Sequence, residues 1–147
     1  MSAPIGTRGT EYEMVVERGK IQEFAAATRP AGPDDPAYRG PDAVVPPTFL
    51  VSGALWAPPG ARVDVGFDRR RLLHGEQEYV FHGPPPRAGQ TLTVCDRVED
   101  RFEKPGRRGG TMRFAVVVTE YRNEEGDLVA EARATYIETA PRAGDAG

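Results

Sequence analysis

The period of hydrophobic and polar positions changes several times along the chain, and each change marks an element. Residues 12–16 alternate, with Tyr12, Met14 and Val16 on one side, which predicts a short strand. Over 20–28 the spacing becomes helical. Ile21, Phe24, Ala25 and Thr28 fall at i, i+3, i+4 and i+7, and Arg29-Pro30 ends the run because proline bars its predecessor from the α region. Residues 30–47 are dense in Pro, Gly and Asp and read as loop. Residues 48–57, TFLVSGALWA, are apolar nearly all round and fit either a central strand or a buried helix. Thr48 as N-cap, Gly53, two alanines and the closing Pro58-Pro59 favour the helix.

The second half reads as β-structure. Strands are predicted over 76–82, 91–104, 111–122 and 127–138, the first broken off by Pro84-Pro85-Pro86. The last three are joined by hairpin-length turns and form an antiparallel meander. The middle one is apolar on both faces at its centre and is expected to be the most buried. In the last strand Leu128, Ala130, Ala132, Ala134 and Tyr136 share a face, and the alanine row leaves a shallow groove for the 48–57 helix. The predicted class is α+β, a curved antiparallel sheet wrapped around one central helix. Residues 1–10 and 139–147 are predicted to fray, leaving one domain over 11–138.

Composition narrows the chemistry. The 147 residues suit one compact domain, and 19 Lys and Arg against 22 Asp and Glu give a net charge of −3, which argues against a nucleic-acid partner. No apolar run approaches the roughly 20 residues that cross a bilayer, so no membrane association is expected. The first residues lack a basic-then-apolar signal pattern, and the single cysteine cannot close an internal disulfide, so a cytoplasmic location is expected. His74, His82 and Cys95 fall short of the about four ligands of a structural zinc site, and no metal or cofactor is expected. Ser2 and Ser52 are the only serines, one in a tail and one in an apolar stretch, which leaves a serine hydrolase without a plausible nucleophile.

Three stretches together carry a family resemblance. They are Val45-Pro46-Pro47-Thr48-Phe49 before the central helix; Leu72 through His82, followed by Arg87-Ala88-Gly89-Gln90-Thr91-Leu92; and Val117 through Asn123 with Gly126 through Ala130. They resemble the MaoC-like hydratase/dehydratase superfamily and its N-terminal-type hot-dog domain, over roughly residues 11–138. That domain is best known from the non-catalytic subunit of actinobacterial 3-hydroxyacyl-thioester dehydratases and from two-domain enoyl-thioester hydratases. The resemblance implies addition or removal of water across an acyl thioester held on coenzyme A or on the phosphopantetheine of an acyl carrier protein. It also implies a dimer with the acyl channel near the subunit interface. Catalytic members carry Asp-x-Asn-Pro-x-His before the central helix, whose amino end directs N–H groups at the thioester carbonyl. Anchored on Pro36, the asparagine position here holds Asp35, the aspartate position Pro33 and the histidine position Tyr38. No histidine precedes His74, so the usual dyad is absent.

The candidate residues follow, each with a plainer role beside the chemical one. Tyr38 can donate to a carbonyl, or simply pack a proline-rich loop. Asp34 and Asp35 can serve as base or cation ligand, or shape a turn. His74-Gly75-Glu76-Gln77 is the strongest polar cluster. A carboxylate beside the imidazole suits a general base, but Glu76 and Gln77 can equally pair across a dimer seam. Pro47, Thr48, Phe49 and Gln77 are candidate substrate contacts, and Arg70 in Arg69-Arg70-Arg71 suits a coenzyme phosphate or a solvated loop. His82 reads as a surface or interface residue and Cys95 as unreactive. The leading reading is a dyad-lacking acyl-thioester hydratase/dehydratase-like protein of fatty-acid or polyketide metabolism. It is either the channel-forming half of a heterodimer with a dyad-bearing subunit or a divergent homodimer. Thioester hydrolysis, amine addition to an enoyl thioester, and non-enzymatic acyl-thioester binding are the alternatives.

Overall fold

A computed structural model describes residues 2–28, 35–142 and 144. Its frame is one five-stranded antiparallel sheet of order β1-β3-β4-β5-β2, built from β1 (Tyr12–Val15), β2 (Leu72–Phe81), β3 (Thr91–Pro105), β4 (Thr111–Arg122) and β5 (Leu128–Glu138). The predicted meander is β3-β4-β5. Helix α1 (Arg18–Thr28) buries Ile21 and Ala25, two of the positions its periodicity singled out. β2 starts at Leu72, four residues before the expected boundary.

Register divides the sheet into two chemically distinct faces. Partners directly opposite share a face, so Val94, Tyr121, Ala130 and Phe81 form one inward rung. The next inward rung is Asp96, Thr119, Ala132 and Tyr79, and the one after it Val98, Val117, Ala134 and Gln77. The outward face is a lattice of ions. Arg8 reaches Glu120 at 2.8 Å, His82 Nε2 reaches Glu131 at 2.7 Å, Arg97 lies 3.2 Å from Glu99, and Arg133 also pairs with Glu99. β4 carries the highest share of buried positions among the strands of the meander, as its two apolar faces implied. Val94, Cys95 and Asp96 are buried in succession, as are Val117, Val118 and Thr119.

The 48–57 segment is helical and lies against the inward face, but it is a 3-10 helix, Phe49–Trp56, not an α-helix. Its bonds run three residues back, as from Phe49 N–H to Pro46 O at 3.0 Å and from Val51 N–H to Thr48 O at 3.2 Å. Prolines at 46–47 and 58–59 leave too few residues for the tighter winding to relax, and Ser52 Oγ donates to Phe49 O at 2.7 Å inside it. Its burial is also one-sided. Phe49, Leu50 and Gly53 are buried, whereas Val51 is 53% and Leu55 75% exposed. Gly53 lets the helix sit close, since a Cβ there would lie 3.2 Å from Met14 Sδ and 3.4 Å from Tyr121. Phe49 meets Phe24 of α1 edge to face, with centroids 5.5 Å apart.

Both predicted tails are held where they are described. Gly6 N–H donates to Val98 O and Gly9 N–H to Asp96 O, each at 2.8 Å, and Val98 N–H donates to Thr7 O at 2.9 Å. This arm satisfies the stretch of β3 that four-residue β1 cannot reach. At the other end Thr139 N–H donates to Arg71 O at 2.9 Å, continuing the β2–β5 ladder.

Candidate functional site

Between the 3-10 helix and the inward face lies a cavity of about 240 Å³. The helix contributes Leu50, Val51 and Ala54; β5 contributes Ala132, Ala134 and Tyr136; His74, Gln77 and Tyr79 come from β2. The alanine row provides the room. Arg62, from the loop after the helix, closes one side. A neighbouring cavity of about 220 Å³ beneath residues 62–72 also includes Arg62 and Tyr136.

A bulge in β2 decides which polar groups face this chamber. His74 pairs with Tyr136, but Glu76 pairs with Thr135, so Gly75 is an extra residue. Alternation alone would put His74 and Glu76 on one face. The extra residue instead turns His74 and Gln77 inward and Glu76 outward, separating the expected His–Glu pair. His74 lies edge-on to Tyr136 with centroids 5.3 Å apart, and Gln77 Nε2 donates to Arg133 O at 3.3 Å.

The chamber's polar floor was not anticipated. Asp96 is 1% exposed. Thr119 Oγ1 donates to its Oδ1 at 2.8 Å, and Arg62 Nε donates to its Oδ2 at 3.1 Å. A buried carboxylate needs such partners to remain charged. Burial, and secondarily the Asp96 charge, pushes the Tyr12 phenol up to about 12, so it stays a neutral hydroxyl at every working pH. Burial also raises Tyr121, whose hydroxyl donates to Leu50 O at 2.9 Å and ties helix to sheet. The one sequence signal was Asp96 itself, a charge among the inward positions Leu92, Val94 and Val98. Arg62 carried none, because only the loop's path brings it there.

The remaining candidates lie elsewhere. Asp34 falls outside the described residues. Asp35 caps the turn Pro36–Tyr38, its Oδ1 accepting from Ala37 N–H at 2.8 Å. Tyr38 is half-buried against the core and does not line the chamber. Pro47 and Thr48 are exposed at the start of the 3-10 helix, and Phe49 is wholly buried in the core. Thr48 makes no side-chain cap bond. The Phe49 and Val51 amides are already bonded, and the Leu50 N–H between them has no backbone partner among the described residues. Cys95 is buried, and burial raises its thiol, so it is inert as expected.

Arg70 belongs to a basic corner beside the chamber. Asp68 caps the Arg69–Arg71 turn, and Arg70 bonding its carboxylate holds Asp68 down to about 2. Asp68, Arg70, Arg71, Leu73 and Arg142 line a cavity of about 310 Å³. It adjoins, through Thr139, Ala140 and Arg142, an open groove at the β3–β4 tip with Arg107 and Arg108. Beneath it Glu138, 3% exposed, accepts from Asp68 N–H at 2.6 Å and from Arg113 Nε at 2.9 Å. Burial alone raises Glu138, but these donors outweigh it and hold the carboxyl below its ordinary range. Among the described residues no cluster of His, Cys, Asp and Glu suits a metal ion, and no helix is long and apolar enough to cross a membrane.

A family model described as "FAS1-like, dehydratase domain region" matches residues 3–132. The chain belongs to that family. It is 33% identical over 130 residues to a UPF0336 protein of Saccharopolyspora erythraea, covering 83% of this chain and 80% of that protein. It is 37% identical over 117 residues to the 3-hydroxyacyl-thioester dehydratase Y of Mycobacterium tuberculosis, covering 73% of this chain but 37% of that longer protein. In fold it matches a chain of the HadBC (3R-hydroxyacyl-ACP dehydratase) complex of M. tuberculosis with a TM-score of 0.72 at 24% identity, over 93% of this chain and 99% of that one. The MaoC-like dehydratase of Rhodospirillum rubrum matches at 0.64 and 13%, over 96% of both. The fold is the hot-dog fold of these dehydratases, as the motifs implied.

Proposed function

We propose that this chain is the channel-forming, dyad-lacking subunit of a dimeric 3-hydroxyacyl-thioester dehydratase, its partner supplying the acid–base pair. The observation that carries the reading is the lining of the chamber: among the described residues it contains His74, Arg62 and tyrosines but no carboxylate. The nearest acid, Asp96, is saturated by Thr119 and Arg62. Hydration of an enoyl thioester needs one group to deprotonate water and another to deliver a proton at the α-carbon. His74 alone cannot divide those tasks, and Tyr12 and Tyr121 are held neutral.

This chain's own residues then bind and orient. The Leu50 amide, in a residue that lines the chamber and without a backbone partner among the described residues, suits the thioester carbonyl as negative charge develops on its oxygen. His74 and Gln77 hold the acyl end, exposed Pro47 and Thr48 flank the path to solvent, and Arg70 in its basic corner suits the phosphates of coenzyme A or phosphopantetheine. The partner's place is argued from exposure. β2 is an open ten-residue edge, and exposed Leu73 on it complements exposed Val51 and Leu55 on the helix. The fold match to a chain of the two-component HadBC complex supports the arrangement.

The test is reconstitution. Alone, the chain is expected to leave crotonyl-CoA unchanged, and together with a dyad-bearing hot-dog subunit to hydrate it. Turnover by the chain alone, abolished by His74→Ala, overturns this in favour of a divergent homodimer. A stable co-complex with no turnover overturns it as well.

A further inference from the structure

We infer that the chamber accepts an acyl group bearing a carboxylate, and that Arg62 is the residue that selects it. The inference rests on the acyl-thioester reading above and specifies the acyl part.

Arg62 is held as a half-used fork. Its Nε donates to Asp96 Oδ2 at 3.1 Å, while Nη1 and Nη2 have no partner among the described residues. The carboxylate anchoring it is itself buried and fixed by Thr119, so the guanidinium is placed before any ligand arrives. Arg62 is common to the chamber and the neighbouring cavity, and its side chain is 41% exposed, so it stands at the solvent-open junction of the two. A planar guanidinium with two free terminal nitrogens matches a carboxylate bidentately.

The surroundings agree. Besides Arg62 the chamber presents His74, Gln77, Thr119 and the Tyr12 and Tyr136 rings. A saturated alkyl tail buried here would strip water from a guanidinium and offer nothing in return. A short chain ending in an oxyanion meets a fixed cation instead. A coenzyme phosphate is the poorer occupant, because the pantetheine arm holds the phosphates far from the acyl group, and the basic corner of Arg70 lies outside the chamber.

The experiment measures binding of succinyl-CoA and butyryl-CoA to the assembled dimer by calorimetry. The two have similar acyl length, and only succinyl-CoA carries the carboxylate. Succinyl-CoA is expected to bind about tenfold or more tightly, as for a charge-assisted hydrogen-bonded pair. In Arg62→Gln the ratio of the two affinities is expected to fall toward one. Because Arg62→Gln strands the Asp96 carboxylate, the double variant Arg62→Gln/Asp96→Asn, with two-state unfolding as its check, is expected to show the same collapse. Equal affinities in the wild-type dimer, or a preference that survives both variants, overturn the inference and leave the thioester reading standing. Failure of either thioester to bind at any concentration overturns both.

Discussion

Three inward residues, Asp96, Thr119 and Tyr121, hold polar chemistry within the core-facing side of the sheet, and each makes a sharp energetic statement. Tyr121 Oη bonds Leu50 O at 2.9 Å in a buried setting. Tyr121→Phe preserves the packing but strands a carbonyl, so it is expected to cost about 1–3 kcal/mol in urea unfolding without a change in m-value. Thr119→Val strands Asp96 Oδ1 and is expected to cost a similar amount. Glu138 gives the pH dependence. Its folded-state carboxyl lies below the ordinary carboxylate range, so the folded state binds fewer protons there than the unfolded one. Its stabilisation is full above that range and is lost as pH falls through the folded value. Thermal unfolding from neutral pH into acid should therefore show a destabilisation. Glu138→Gln, already weaker at neutral pH, is expected to lack this residue's share of it, while the share of Asp68, also held low, remains.

At the scale of elements, the sequence pattern located every strand and α1 to within a few residues, because alternation and turn chemistry are local. It missed the type and the one-sided burial of the central helix. Those depend on Pro46, Pro47, Pro58 and Pro59 confining the segment and on how near Gly53 comes to Met14 and Tyr121. The candidate site was half legible. The alanine row on β5 was legible as a groove for the helix, though not as a chamber beneath it, and His74 and Gln77 do line that chamber. Glu76 went astray because one glycine, Gly75, resets the alternation, and a bulge leaves no local mark in composition. Arg62 and Asp96, 34 residues apart, meet only through long-range pairing. The N-terminal arm is testable at this scale. A Cβ on Gly9 would lie 2.4 Å from Ala61 O, a backbone atom that cannot swing aside. Gly9→Ala is expected to lift the arm, seen as faster hydrogen exchange at the Gly6 and Val98 amides with the β4–β5 amides unchanged.

For the molecule as a whole, three of the exposed large hydrophobics, Val51, Leu55 and Leu73, lie on the 3-10 helix and the open β2 edge, with Ile5 and Val15 elsewhere, while the outward face is covered by paired charges. Burying large side chains of this kind contributes roughly 1.5–3 kcal/mol each. A charge placed among them, as in Leu55→Asp, is therefore expected to abolish co-purification with the second subunit. Because Leu55 is 75% exposed in the single chain, its unfolding midpoint should barely move, and a large drop would show that Leu55 belongs to the chain's own core.

The two rims of the sheet are unequal, and that inequality limits how large an assembly can grow. One rim is only Tyr12–Val15, with the separate Arg8 bridge beyond it; the other is the full length of Leu72–Phe81. A second copy or a relative can extend the sheet from the long rim, but the result then ends in a short, irregular border at both extremities. In the pairing proposed above such a joint would close after one addition, so pairs and not fibres are expected.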